Sequence, residues 1–142
     1  MAQSEQLCTF FLDGHFFGVP VQQVQEVIRY QEMTRVPLMP QVVRGLINLR
    51  GQIVAAIDLR RRLGMDERAV DQLPMNVVVR IADGALSLLV DEIGDVIEVE
   101  ETSFEDLPET LQGSVRTVIR GVHKLHGRIV HVLDIEKACQ ID

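Results

Sequence analysis

The sequence predicts a mainly β protein with short helices, arranged as two small barrels of about five strands each on a common plan. Three observations carry this expectation: a stretch in the first half recurs without gaps in the second, Gly-centred turn signals punctuate apolar runs, and aliphatic side chains far outnumber aromatic ones. With no Trp, one Tyr and five Phe, the apolar mass falls to Val, Ile and Leu, a mixture that suits strands. At 142 residues, 46% hydrophobic and 25% charged, the chain has the length and balance of one compact unit with its own core.

The first apolar runs, Thr9 to Leu12 and Phe16 to Val19, flank Asp13-Gly14, a pair that tolerates positive φ and so predicts a hairpin. Val21, Val24, Val27 and Ile28 follow at spacings of three and four among glutamines, which predicts a short amphipathic helix over part of that segment. Pro37 and Pro40 bracket a loop. Residues 42–58, VVRGLINLRGQIVAAID, read as a second hairpin turning at Arg50-Gly51-Gln52. A short helix is expected next, with Leu59 and Leu63 inward and Arg60, Arg61 and Arg62 in solvent. Asp71 to Pro74 form a connector, and Val77 to Ile81 and Leu86 to Val90 flank a second Asp-Gly pair, Asp83-Gly84.

The recurrence is the most informative feature. Val42, Arg44, Gly45, Leu49, Gly51, Ile53, Val54 and Asp58 return in order as Val118, Arg120, Gly121, Leu125, Gly127, Ile129, Val130 and Asp134. The upstream hairpins match more weakly, so both halves share one order: Asp-Gly hairpin, short turn or helix, loop, Arg-Gly hairpin, Asp. Each half alone is too small for a generous core, and packing the two together supplies one. Gly14, Gly51, Gly84, Gly121 and Gly127 are read as structural glycines of turns and bends, with Gly45 and Gly121 where a bulge is needed. Asp58 and Asp134 end matching hairpins and are expected to cap or close the turn that follows.

Composition also bounds function. A formal charge of −7 and a pI near 5.0 weigh against nucleic acid and anionic lipid as partners and leave protein. No apolar run reaches bilayer length and the N-terminus is polar, so a cytoplasmic protein without membrane insertion is expected. Cys8 and Cys139 belong to no Cys-x-x-Cys pair and read as reduced thiols. No nucleotide loop, zinc-binding helix or nucleophile elbow is present in the sequence, and neither a catalytic residue nor a cofactor is expected.

The runs E-V-I, T-R-V-P, V-R-G-L-I-N-L-R-G-Q-I-V-A-A-I-D-L-R, L-V-D-E-I-G-D-V-I and V-I-R-G, in that order from about Phe10 to Ala138, resemble the CheW family of chemotaxis adaptors. The resemblance implies an all-β fold of two tandem, intertwined five-stranded SH3-like β-barrels, at approximately 10–75 and 76–142, with strand or helix exchange between them. It implies no catalysis. The partners it implies are the regulatory domain of a CheA-type histidine kinase and the cytoplasmic tip of chemoreceptors, with recruitment to membrane-associated receptor arrays. Its receptor-groove positions fall on Val21, Val24, Glu26, Arg50 and Val96, and its kinase-interface positions on Gly45, Leu46 and Ile47. An adaptor of another chemosensory pathway, for pili or gene expression, is the alternative within the family. The longer C-terminal helix of many relatives is expected to be short in a chain ending at Asp142.

Each assignment has a plainer counterpart. Glu26 and Arg50 form either an ion pair that positions the groove or two independent solvated side chains. Val21, Val24 and Val96 fit either a core stripe or an exposed apolar groove that receives a receptor helix. His123, His126 and His131 raise the question of a metal, but no Cys or carboxylate completes a set, and they are read as structural or surface residues. The carboxylates from Asp91 to Asp106 are read as a solvated acidic face, with a ligand-binding or hydrolytic β-barrel as the alternative.

Overall fold

The computed structural model describes residues 3–107 and 113–140. The N-terminal hairpin joins β1 (Ser4–Leu12) to β2 (His15–Pro20), and Asp13 and Gly14 turn it with φ of 49° and 79°, the doubly positive geometry of a type I′ turn. A 3-10 turn at Val21–Gln23 leads into β3 (Val24–Ile28), and β4 (Val43–Leu49), β5 (Gln52–Asp58) and helix α1 (Leu59–Arg62) follow. Then come β6 (Met75–Ile81), β7 (Gly84–Val90), β8 (Glu92–Glu100), a 3-10 turn at Glu101–Ser103 and β9 (Phe104–Glu105). The second Arg-Gly hairpin closes the chain, with α2 (Ser114–Val118), β10 (Ile119–Leu125), β11 (Arg128–Leu133) and α3 (Ile135–Ala138).

The expected amphipathic helix over Val21 to Ile28 is a correction: one 3-10 turn forms and the rest is strand. Along β3 the register against β6 shifts between Val24 and Glu26. Directly paired residues share a sheet face, so the shift sets Val24 and Val27 on the side of Val79 and Val77, and Glu26 and Ile28 on that of Val78 and Asn76. A bulged strand thus reproduces the three-residue apolar spacing of a helix.

The strands form two sheets, a six-stranded one in the order β8-β1-β2-β11-β10-β9 and a five-stranded one in the order β3-β6-β7-β5-β4. Each draws strands from both sides of position 75. The first Arg-Gly hairpin lays β5 parallel to β7, and the second lays β11 parallel to β2, so each repeat completes its sheet with the Asp-Gly hairpin of the other. The repeat is visible in detail. Register shifts fall between Val43 and Gly45 and between Ile119 and Gly121, Asp58 N–H donates to Val42 O at 2.8 Å, and Asp134 N–H donates to Val118 O at 2.7 Å. Asp58 and Asp134 also cap α1 and α3, accepting from the amides of Arg60 and Lys137. Gly121, grouped with the turn glycines from sequence, lies inside β10 at its register shift. A Cβ on Gly45 would stand 2.9 Å from Thr34 O and one on Gly121 2.6 Å from Glu105 O, because in each repeat another segment crosses close over the bulge.

The sheets share one core. Phe10, Leu12, Phe17 and Val19 of the six-stranded sheet pack with Ile57, Val77, Val79, Leu88 and Val90 of the five-stranded one, joined by Leu59 and Ile135 of the short helices. Each sheet adds a private cluster: Leu7, Phe16, Val99, Val130 and Val132 in one, and Ile47, Leu49, Val54 and Val78 in the other.

Leu59 and Leu63 face inward as expected, but Arg60 does not face solvent. Its side chain is 9% exposed and donates to both Asp91 oxygens, from Nε at 3.0 and 3.2 Å and from Nη2 at 2.5 Å. Asp91, expected on a solvated acidic face, is 7% exposed. It stands where the chain leaves β7 of one sheet for β8 of the other, and its second oxygen accepts the Asp13 amide at 2.7 Å. Arg68 completes the cluster: at 2% exposure it donates to Asp91 Oδ1 at 2.7 Å, Asp58 Oδ1 at 2.9 Å and Leu89 O at 3.0 Å. Two carboxylates and two guanidinium groups are thus buried in balance, each bonded several times over. Burying charge is tolerable only under such compensation.

Two expected outcomes test this architecture. Leu88→Ala in the shared core should cost about 2–5 kcal/mol, and urea unfolding should remain one transition by both circular dichroism and tyrosine fluorescence; loss of the five-stranded sheet alone would contradict a common core. Arg68→Met should cost about 3–5 kcal/mol because it strands two buried carboxylates, and adding Asp58→Asn and Asp91→Asn to it should recover part of the loss.

Candidate functional site

The five-stranded sheet and the 3-10 turn that leads into it carry most of the sequence-derived candidates, on both faces of the sheet. Glu26 lies on β3 and Arg50 in the β4–β5 turn, so the two come from the opposite end strands of the sheet, and Arg50 Nη2 donates to Glu26 Oε2. The two side chains are therefore paired and not solvated independently, and the pair ties the sheet's ends together over its private core. Ile28 and Met33 pack beneath it against that cluster. Arg50 sits at φ 51° and is 77% exposed, while Glu26 is 19% exposed, so the guanidinium is displayed and the carboxylate is held. Asn48 Oδ1 accepts the Gly51 amide at 2.9 Å and sets the turn.

Val21 and Val24 are half-buried, and Val24 packs on the shared core with one side. The 3-10 turn that carries Val21 lies against both β1 and β6, and Arg80 Nη1 holds it by donating to Gln22 O and Val24 O at 3.2 Å each. Val96 belongs to the other sheet: it is 56% exposed on β8, directly opposite Cys8 of β1. Cys8 and Val24 each pack on the shared core cluster. Burial raises the Cys8 thiol above its ordinary range and takes that of Cys139 to about 11, which keeps both protonated.

Gly45, Leu46 and Ile47 lie on β4, the other end strand. Leu46 exchanges both backbone hydrogen bonds with Thr34, at 2.9 and 2.8 Å. Ile47 is 1% exposed in the private core, so its side chain faces inward, and Leu46 is the partly exposed member of the three.

The remaining polar groups have structural assignments. His131 Nδ1 lies 2.8 Å from Phe16 O, and His126 is exposed in the β10–β11 turn. Ser103 and His123 form a serine–histidine contact, Oγ to Nδ1 at 2.7 Å, beside a cleft of about 520 Å³ that Arg120, Glu5 and Phe104 also line. Ser103 Oγ also donates to Glu100 O at 2.9 Å, and which of Ser103 and His123 donates to the other follows the imidazole tautomer. Burial holds His123 below the usual imidazole range, with Arg120 adding to the effect and Glu5 opposing it.

Arg68, Arg80 and the Ser103–His123 contact escaped the sequence reading. Arg68 stands in a polar connector with no periodicity, and its partners Asp58 and Asp91 lie 10 and 23 residues away in sequence. The recurrence of Asp58 was a signal that its position is special, but nothing local names its cation.

Stability should fall with pH in two windows. Folded His123 resists the proton that the unfolded chain binds, so its contribution is intact above about pH 6.5 and is lost as pH falls through the lower folded value. For Asp91, burial pushes the carboxyl up, but the Arg60 hydrogen bonds, the Asp13 amide and the charges of Arg68 and Arg60 together hold it below the ordinary value. Its contribution is intact above about pH 4 and is lost below it. Urea titrations between pH 7 and 5 should show a slope that His123→Ile, which installs the residue of the matching position in the first repeat, flattens; an unchanged slope would remove His123 as its source.

An interlocked, duplicated β module is the class that this architecture defines. A family model described as the CheW-like domain matches residues 6–141, and the chain belongs to that family. The chemotaxis protein CheW of Bacillus subtilis is 32% identical over 130 residues, covering 92% of this chain and 83% of that one. The chemotaxis protein CheW of Treponema pallidum is 29% identical, covering 93% and 80%. Among solved structures, the scaffolding protein TtCheW from Thermoanaerobacter tengcongensis superimposes with a TM-score of 0.88 at 25% identity, over 99% of this chain and 95% of that one.

Proposed function

We propose that the protein is a non-enzymatic adaptor that couples chemoreceptors to a CheA-type histidine kinase, working in the cytoplasm at membrane-associated receptor arrays. The observation that carries this reading is the displayed Arg50 guanidinium, anchored by Glu26 across the two end strands of the five-stranded sheet, in a chain matched by the CheW-like family over nearly its whole length. Val21, Val24, Glu26, Arg50 and Val96 form the receptor-facing surface, where a receptor helix lays its apolar face against the valines. The β4 side, with Gly45 and Leu46, faces the kinase regulatory domain. No bond is made or broken in this role. The protein supplies geometry, holding kinase and receptor at high effective concentration and passing on changes in receptor packing. Among the described residues no group of His, Cys, Asp and Glu is arranged to hold a metal, and none of the described helices is long and apolar enough to cross a membrane. The similarity to the protein PilI of Pseudomonas aeruginosa, 27% identical over 113 residues, favours a second reading in which the same adaptor serves another chemosensory pathway.

Arg50→Ala tests the first reading. An exposed pair contributes at most about 1 kcal/mol, so the variant should fold normally while its affinity for a receptor tip drops roughly tenfold or more. Calorimetry with purified receptor tip and kinase regulatory domain measures both contacts. A wild-type protein that binds neither would end the adaptor proposal, and an Arg50→Ala protein that unfolds would reassign the residue to structure.

A further inference from the structure

A second surface stands apart from the Glu26–Arg50 pair. The segment between β3 and β4 arches over α1 and leaves an open groove of about 670 Å³, whose lining includes Tyr30, Met33, Arg35, Arg44 and Arg61. Three arginines and no carboxylate line it, in a chain whose net charge is −7. Arg61 is committed through Nε and Nη2 to Glu67 at 2.8 and 3.4 Å and through Nη1 to Gln41 O at 2.8 Å, and Arg44 is partly committed through Nη1 to Asp58 at 3.3 Å, whereas Arg35 has no ion-pair partner among the described residues. The groove is thus a basic recess in an acidic protein.

Its rim is apolar and strained. Leu38 adopts φ 68°, a conformation that L-residues other than Asn and Asp rarely enter, and its side chain is 104% exposed. Pro37 precedes it and Pro40 follows, so two ring-fixed φ angles stiffen the loop, and Val43 N–H donates to Pro40 O at 3.0 Å to fasten its end. Val36 and Met39, each 37% exposed, extend the apolar rim on either side. Nothing within the described fold repays a fully solvated leucine held at positive φ. Strain of this kind, at a site where apolar side chains and arginines converge, is a mark of recognition surfaces.

From the strained Leu38 and the carboxylate-free arginine lining we infer that the groove is a docking surface for an acidic, apolar segment of a partner protein. Carboxylates of the segment meet Arg35 and the free donors of Arg44, and its aliphatic side chains cover Val36, Leu38 and Met39. Charge complementarity chooses this occupant over a basic segment, because the partner must bring carboxylates to Arg35 and Arg44 and apolar area to the rim at once, and it disfavours a second copy, because two chains of net charge −7 repel each other. The groove reaches Gly45, which the adaptor reading gives to the kinase-facing side, so the two surfaces adjoin at β4; the inference itself rests on Arg35, Arg44 and the Leu38 rim, which that reading does not use.

The probe is a fluorescein-labelled peptide alternating Glu or Asp with Leu or Ile, with a control peptide in which Lys replaces every acid. Anisotropy should show the acidic peptide binding at least tenfold more tightly than the control and weakening as salt rises. Its amide shifts in an isotope-labelled sample should centre on Arg35, Leu38, Arg44 and Gly45. Leu38→Gly is the decisive variant, because glycine adopts positive φ without strain: the fold should be kept or stabilised while peptide affinity falls tenfold or more, as it should in Arg35→Glu. Arg50→Ala should bind the peptide as wild type does, which separates this surface from the proposed receptor face. Equal binding of the two peptides, shifts outside the groove, or unchanged affinity in Leu38→Gly would each overturn the inference. Peptide-free self-association that maps to the same amides would overturn it too, by assigning the groove to another copy of the chain.

Discussion

The structure depends on a buried charge cluster at the point where the chain passes from one sheet to the other. Asp91 sits at that passage, gripped by Arg60 and Arg68, while Arg68 also holds Asp58 at the end of β5 and Asp91 accepts the amide of the β1–β2 turn. A nonpolar contact at this place would tolerate sliding. A set of charges in low dielectric does not, because any displacement that breaks a bond leaves an uncompensated ion. The cluster therefore gives little net stability for its burial but fixes where the N-terminal hairpin stands relative to α1 and β7.

That constraint matters because the fold is interlocked. Each repeat lends its Asp-Gly hairpin to the sheet of the other, so neither sheet can form from one contiguous half of the chain. The shared core between them is the return on this exchange, since a half-length unit buries too little apolar surface to stand alone. For a protein proposed to work by geometry, one cooperative body with several outward faces is the useful outcome: the half-buried valines, the Glu26–Arg50 pair, the β4 edge and the arginine groove are held at set positions by one core. The same design partly covers the outer strands, as where Thr34 and Phe104–Glu105 cross over the bulges of β4 and β10.

Local chemistry made much of this legible. Asp13-Gly14 announced its hairpin because few residue pairs accept two positive φ values, and Asp58 and Asp134 announced their caps by recurring after matching strands. The Glu26–Arg50 pair was legible as an alternative. Other features misled for physical reasons. The valines from 21 to 28 imitate a helix because a bulge slips the alternation of β3 by one residue. Arg60 looked solvated because three successive arginines on a short helix usually are, and Asp91 because it opens an acidic run. Their burial follows from the approach of another strand, which no window of sequence contains.

By itself the sequence determined the β class, the duplication, the hairpin turns and the family to which the chain belongs, all of which rest on interactions between residues close in the chain or on repetition within it. Only the tertiary structure decided which hairpin joins which sheet, which charges are buried together and which apolar side chains stay outside. Those choices depend on long-range packing and desolvation. Arg60 and Arg61 are neighbours of the same kind, yet one is enclosed against Asp91 and the other half-open beside Glu67, because the fold brings a buried carboxylate to the first and a solvated one to the second.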